Sequence, residues 1–291
     1  MPSVLFERQK MAGEEKVNDY TEFDGVDLMN IAIEKYNPSH IFGLFSGGTD
    51  SLTACHVASQ HPKFSGCAHI NTGIGVPQTR DFVYETCKEQ GWLLKEYKAE
   101  DEGQVYEDII REHGFPGPFA HRMMYTRLKE RALRSLIREH KQFYRDKIML
   151  ISGCRSDESR RRMGTVKPID PQGAQLWVAI IHNWSKPKCL EYLGQHGVET
   201  NPVAKLIGKS GECLCGAFAK KGELDELHEH FPEVAERIMD LEQEVRAKFP
   251  WDWEAPGPPK WWKQQQEGQE CMFDMTQPPG PMCWGCHKGK R

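Results

Sequence analysis

The stretch Ile41-Phe42-Gly43-Leu44-Phe45-Ser46-Gly47-Gly48-Thr49-Asp50-Ser51 constrains this chain more than any other. A short apolar run of strand character ends in Ser-Gly-Gly, and a segment with Leu52, Cys55 and Ala58 on one helical face begins at once. Strand, glycine turn and helix N-terminus together make an anion cradle. Glycine lets the backbone approach an anion without a Cβ in the way. The free N–H groups and positive dipole end of the helix then hold it. Ser46, Thr49 and Ser51 add hydroxyl donors, and Asp50 offers a carboxylate for Mg²⁺ or a substrate ammonium. The loop fits neither the Walker pattern nor Gly-x-Gly-x-x-Gly. A plain turn of small residues competes with this reading, but Asp-Ser completing the run behind an apolar strand favours a nucleotide.

The rest of the chain alternates strands and helices around that loop. Helical spacing of Val26, Met29, Ile33 and Tyr36 predicts a helix over 25–36, closed by Asn37-Pro38. Strands are expected over 41–45, 64–71, 92–98, 147–153 and 175–181, with helices to about 60 and over 79–90, 121–140 and 185–196. The stretch 100–120 reads as irregular. Such alternation implies βαβ units, hence a Rossmann-like, doubly wound parallel α/β sheet with helices on both faces. Ligands bind at the carboxyl ends of such strands, where Ser46 and Thr72 both stand. The expected division is an N-terminal arm and helix (1–37), an adenine-nucleotide-binding α/β domain (38–204) and a cysteine-bearing, Trp/Pro-rich C-terminal region (205–291). There an amphipathic helix starts at Pro232, and an aromatic tail beyond Pro250 is expected to wrap back over the domain.

At 291 residues, with 38% hydrophobic and 27% charged residues and a net charge of −4, the chain has no general basic surface for nucleic acid. No apolar run approaches the ~20 residues that span a bilayer, and residues 1–18 lack an apolar signal core. A cytoplasmic protein without membrane contact is expected. Ten cysteines in a reducing compartment point to metal, cluster or catalytic use before disulfides. Cys55, Cys67 and Cys87 stand singly in apolar surroundings and read as core packing.

Two further groups carry chemistry. The strand over 147–153 delivers Cys154-Arg155-Ser156-Asp157-Glu158-Ser159-Arg160-Arg161-Arg162. Four arginines in eight residues call for an anion, and the guanidinium fork suits phosphate and sulfate. Glu158 would orient one of them. Cys213-x-Cys215 and Cys283-x-x-Cys286 supply four thiolates from two loops, enough for a 4Fe–4S cluster or a tetrahedral Zn²⁺, with Cys271 as a spare ligand. Free thiols in an aromatic tail, or a redox pair at Cys283 and Cys286, are the alternatives. Cys154 reads as a sulfur carrier or as a buried strand-end residue.

These pieces, in their order, resemble the phosphoadenylylsulfate (PAPS) reductase family and the wider N-type ATP pyrophosphatases. The resemblance rests on Ser46-Gly47-Gly48-Thr49-Asp50-Ser51, Asn71-Thr72-Gly73 with Pro77 and Thr79, and Tyr125-Thr126-Arg127-Leu128-Lys129. It continues through Gly153-x-Arg155-x-x-Glu158-Ser159-x-x-Arg162, Asn183-Trp184-Ser185, Asn201-Pro202 and Ser210-Gly211-Glu212-Cys213-Leu214-Cys215. In motif style it is nearest to the DNA-phosphorothioation sulfur-transfer enzymes. The resemblance implies that Ser46, Gly47, Gly48, Asp50 and Ser51 grip phosphates, and that Asn71, Thr72 and Gly73 line the nucleotide cleft. It places Arg127, Lys129, Arg155 and Arg162 on the sulfate, phosphate or pyrophosphate end, and favours an iron–sulfur cluster over zinc.

Sulfonucleotide reductases end in Glu-Cys-Gly-x-His, where this chain has Cys283-Trp284-Gly285-Cys286-His287. That departure, with a carboxylate at Asp50, points to Mg·ATP and to adenylation with pyrophosphate release coupled to sulfur transfer. Thiol-dependent reduction of PAPS or adenylylsulfate is the second expectation, and a non-catalytic nucleotide-binding component of a sulfur-transfer complex the third. The expected partners are an adenine nucleotide, a sulfur-donor protein of desulfurase or thioredoxin type, and a second copy of the chain. Nucleic acid enters only as an acceptor substrate.

Overall fold

The structure, a computed structural model, describes residues 20–158 and 166–254, apart from the side chain of Glu158. Six strands form one sheet in the order β3-β2-β1-β4-β6-β5. They are β1 (His40–Leu44), β2 (Gly66–Asn71), β3 (Leu94–Lys98), β4 (Ile148–Ile151), β5 (Ile169–Gln172) and β6 (Gln175–Val178). All neighbours are parallel except the antiparallel pair β5 and β6. The expected doubly wound α/β fold is what the chain adopts.

Period-2 alternation in β1 divides the core. Phe42 and Leu44 pack with Ala132, Leu133 and Leu136 on one face. Ile41 joins Leu28, Met29, Ala54 and Val57 on the other. These side chains come from α1 (Gly25–Tyr36), α2 (Thr49–Ser59) and α5, the helix over 121–140. Gly43 sets the spacing between strand and helix, because a Cβ there would lie 2.6 Å from Cys55 Sγ. Helix α3 (Pro77–Glu89) and helix α6 (Lys186–Gln195) close the face that α2 shares. There Cys67 lies within hydrogen-bonding reach of both Cys55 and Cys87. The three are core residues as expected, yet grouped rather than single.

Three elements escape the periodic pattern. Helix α4 (Tyr106–His113) occupies part of the stretch expected to be irregular, burying Tyr106, Ile109 and Ile110. Eight residues offer barely two turns of period, and glycines at both ends read as loop. The short β5 and the helix α8 (Glu223–His230) were hidden for the same reason. Between them in the chain, α7 (Pro202–Leu206) follows Asn201. Helix α9 (Pro232–Val245) buries Val234, Ile238, Leu241 and Val245 against α4 and α5. Trp251 and Trp253 are buried in that same cluster, so the tail turns back at least as far as Glu254. Residues 203–253 thus share a core with residues 74–128. Among the described residues, no helix is long and apolar enough to cross a membrane.

Candidate active site

The sheet order reverses between β1 and β4, and a crevice at their carboxyl ends is where such sheets bind ligands. The loop 46–51 and Arg155 meet there. Gly47 has φ +72°, and a Cβ on it would lie 2.7 Å from Thr79 Cγ2, so the turn needs glycine twice over. Ser46 Oγ and Ser51 Oγ are 3.1 Å apart, and Ser51 Oγ also donates to the Gly48 carbonyl at 2.9 Å. Thr49 and Ser51 lie in the first turn of α2, whose leading N–H groups have no intrahelical acceptor. Gly153 brings the end of β4 against this turn. Any Cβ there would stand 2.6 Å from Asp50 C and from Ser51 N.

Asp50 is the electrostatic centre. Its Oδ1 accepts from Lys186 Nζ at 2.9 Å, and its Oδ2 from Arg155 Nη2 at 3.2 Å. Burial acts to raise its pKa, but Lys186 and Arg155 outweigh it and hold the carboxyl below the ordinary range. The Arg155 side chain is 6% exposed, Asp50 19% and Lys186 43%. Arg155 Nη1 also donates to the Trp184 carbonyl, and its buried Nε–H has no acceptor among the described residues. Two cations thus meet Asp50, and Arg155 is shared with Asp157 at 3.6 Å. As a Mg²⁺ ligand, Asp50 fits poorly: both oxygens already face cations.

Lys186 is the residue sequence reading missed. It opens α6, where a cation opposes the positive end of the helix dipole. A lysine at so unfavourable a place, next to Trp184-Ser185, was the available signal.

A second group sits one strand outward. Asn201, 1% exposed, donates to the Gly47 carbonyl at 3.0 Å and reaches Thr79 Oγ1 and the Ser210 carbonyl. It ties the phosphate loop to the cysteine-bearing loop. Thr72 is buried and gives its hydroxyl to the Glu212 carbonyl at 2.9 Å, so it fastens that loop instead of facing a ligand. Asn71 and Gly73 line a cleft of about 280 Å³ at the ends of β2 and β3, together with Thr79, Tyr106, Glu212 and Arg237.

Lys129 and Arg127 stand on a π-helical turn, Thr126–Glu130, within α5; such turns are frequent at functional sites. Lys129 forms a buried pair with Glu212 at 2.7 Å. Arg127 reaches Glu112 at 3.5 Å. Arg162 lies outside the described residues, as does the Glu158 side chain.

Cys213 and Cys215 are within side-chain hydrogen-bonding reach of each other, and that contact with burial pushes the Cys213 thiol well up. Adjacent sulfurs suit a shared metal or cluster. Cys271, Cys283 and Cys286 lie outside the described residues, and no group of three potential metal ligands assembles among the described ones. Trp253 covers this loop, donating to the Leu214 carbonyl at 2.8 Å. Cys154 is buried beside Ala179.

The family model for the phosphoadenosine phosphosulfate reductase domain matches residues 40–206, more than half of the chain. Among solved structures, the chain is similar to phosphoadenylyl-sulfate (PAPS) reductase from Candida auris in a phosphate complex. The two are 16% identical over 64% of this chain and 85% of that one, with a TM-score of 0.47. It is also similar to FMN adenylyltransferase from Candida glabrata with FAD and inorganic pyrophosphate, at 14% identity and a TM-score of 0.42 over 62% of this chain. The same enzyme with FMN and AMPCPP gives 12% and 0.43. The match spans 56% and 60% of those two chains. No curated protein matches.

Proposed function

The chain belongs to the phosphoadenosine phosphosulfate reductase family, and from that premise we propose that it is an adenine-nucleotide enzyme that adenylates an acceptor and releases pyrophosphate, coupled to sulfur transfer. The observation that carries this reading is the Ser46–Ser51 loop at the β1/β4 crevice, faced by a buried arginine. A nucleotide would lie across the strand ends with its β- and γ-phosphates in the loop. An acceptor oxygen attacks the α-phosphorus; the new P–O bond forms as the bond to the α,β-bridging oxygen breaks. The electron pair leaves with pyrophosphate, into the N–H groups of Gly48, Thr49 and Asp50 and the hydroxyls of Ser46 and Ser51. Arg155 neutralises the charge that develops there. Donors fixed before the reaction supply most of such rate enhancements.

Asn71 and Gly73 would line the nucleoside side, and Arg127 and Arg162 would extend the cationic wall, while Lys129 is engaged by Glu212. Cys213 and Cys215, with Cys283 and Cys286, would hold a 4Fe–4S cluster or Zn²⁺. Either, when bound, would keep thiolate or sulfide sulfur available for transfer. The supplier of that sulfur would be a desulfurase- or thioredoxin-like protein.

One observation favours thiol-dependent reduction of a sulfonucleotide as the second reading. Asp50 is already balanced by two cations, so the loop can take a sulfate or phosphate directly. Incubation with ATP and Mg²⁺ plus candidate acceptors, and separately with PAPS and a dithiol, distinguishes them. Pyrophosphate release supports adenylation; sulfite without pyrophosphate overturns it.

A further inference from the structure

Sequence reading offers Asp50 to Mg²⁺ or a substrate ammonium, and its surroundings speak against Mg²⁺. A carboxylate that ligates Mg²⁺ turns an oxygen to the metal. Here Oδ1 faces Lys186 Nζ at 2.9 Å and Oδ2 faces Arg155 Nη2 at 3.2 Å. A divalent ion would have to displace Lys186 or Arg155 from Asp50 and enter against the positive end of the α2 dipole. The same arrangement is attractive to an anion.

The two cations are held differently. Arg155 is buried, fixed by the Trp184 carbonyl at 3.3 Å and Asp157 at 3.6 Å, and its buried Nε–H has no acceptor among the described residues. Lys186 reaches Asp50 on a flexible stem from the first turn of α6, with 43% of its side chain exposed. Arg155 is therefore a fixed wall and Lys186 a cation free to change partner.

We propose that Lys186 is the movable cation of this site, drawn from Asp50 onto a metal-free oxyanion of the phosphate or sulfate type when one occupies the Ser46–Ser51 loop. Asp50 is then a positioning residue that stores Lys186, not a metal ligand. This rests on the loop being an anion grip, and is independent of whether adenylation follows.

Isothermal titration of the full chain with inorganic pyrophosphate, in EDTA and in excess Mg²⁺, tests it. Wild type binds in EDTA. Lys186→Met weakens binding in EDTA by about 10- to 100-fold, the range for a charge-assisted hydrogen bond. Lys186→Arg, which keeps the charge, stays within a few-fold of wild type, and Asp50→Asn binds at least as tightly because Lys186 is released. Binding that needs Mg²⁺ and is lost in Asp50→Asn overturns the proposal, as does an affinity unchanged in Lys186→Met. Absence of pyrophosphate binding under both conditions overturns the anion grip with it. Binding as expected without turnover of ATP removes only the adenylation reading. Circular dichroism melting of each variant separates lost binding from lost folding.

Discussion

Asp50 and Glu212 are both acidic residues paired with lysine at the carboxyl edge of the sheet, Asp50 on the loop after β1 and Glu212 on the cysteine-bearing loop. Asp50 meets two cations, one of them shared with Asp157, and sits at a half-open rim. Glu212 has Lys129 alone, and both side chains are at most 7% exposed. An ion pair closed off from water is costly to form and costlier to break, so it works as a fastening. A carboxylate at a rim, paired with a lysine that is 43% exposed, is by contrast a contact that can open. Two similar pairings thus divide the labour: Glu212–Lys129 holds the cysteine loop on the sheet, and Asp50–Arg155–Lys186 stands at the proposed ligand site.

The sharpest way to break this comparison is Glu212→Ala. It takes from buried Lys129 the carboxylate that neutralises it, so a loss of about 3–5 kcal/mol in urea unfolding is expected. Adding Lys129→Met should recover most of it, and a single-variant loss under about 1 kcal/mol would erase the contrast. Next in size, Arg155→Ala should lower kcat/KM for pyrophosphate release by roughly 10²–10³-fold, the cost of removing a preorganised transition-state donor. Retained turnover would make Arg155 a fastening too.

Asn201→Ala tests the link between the two regions. Its amide serves Gly47, Thr79 and Ser210, and about 1–3 kcal/mol should go with the buried partners left unsatisfied. The cysteine loop should then exchange amide hydrogens faster together with residues 46–48. Faster exchange in the cysteine loop alone would uncouple the regions.

The smallest effect is in acid. The folded pKa of Asp50 is lowered, so the native state binds fewer protons than the unfolded chain near that pKa. Its stabilisation is complete above the unfolded value of about 3.9 and is lost as pH falls through the folded one. The stability gap between wild type and Asp50→Asn should be constant from pH 7 to about 5 and shrink below about 4. A gap that persists to pH 2 would show that the cations do not hold Asp50 ionised.

Much of this was legible in the chain. Ser46-Gly47-Gly48 behind an apolar strand announced the strand–turn–helix loop because its geometry is local: glycine conformations, hydroxyls and a helix start within six residues. Arg155 was legible as a basic residue at a strand end. Lys186 was not named at all and Asn201 only within a motif, since their partners are 136 and 154 residues away. Thr72 read as a cleft residue, and only its bond to Glu212 reveals a fastening. Helix α4 was illegible because eight residues carry too little period.

The sequence by itself determined the alternation of strands and helices, the doubly wound sheet and the position of the phosphate loop, because periodicity and glycine geometry act over short spans. The tertiary structure alone decided what Asp50 faces. A carboxylate offers itself equally to Mg²⁺, an ammonium or a guanidinium, and its choice depends on which charges the fold brings within about 3 Å. Here these are Lys186 and Arg155, delivered by two other segments of the chain.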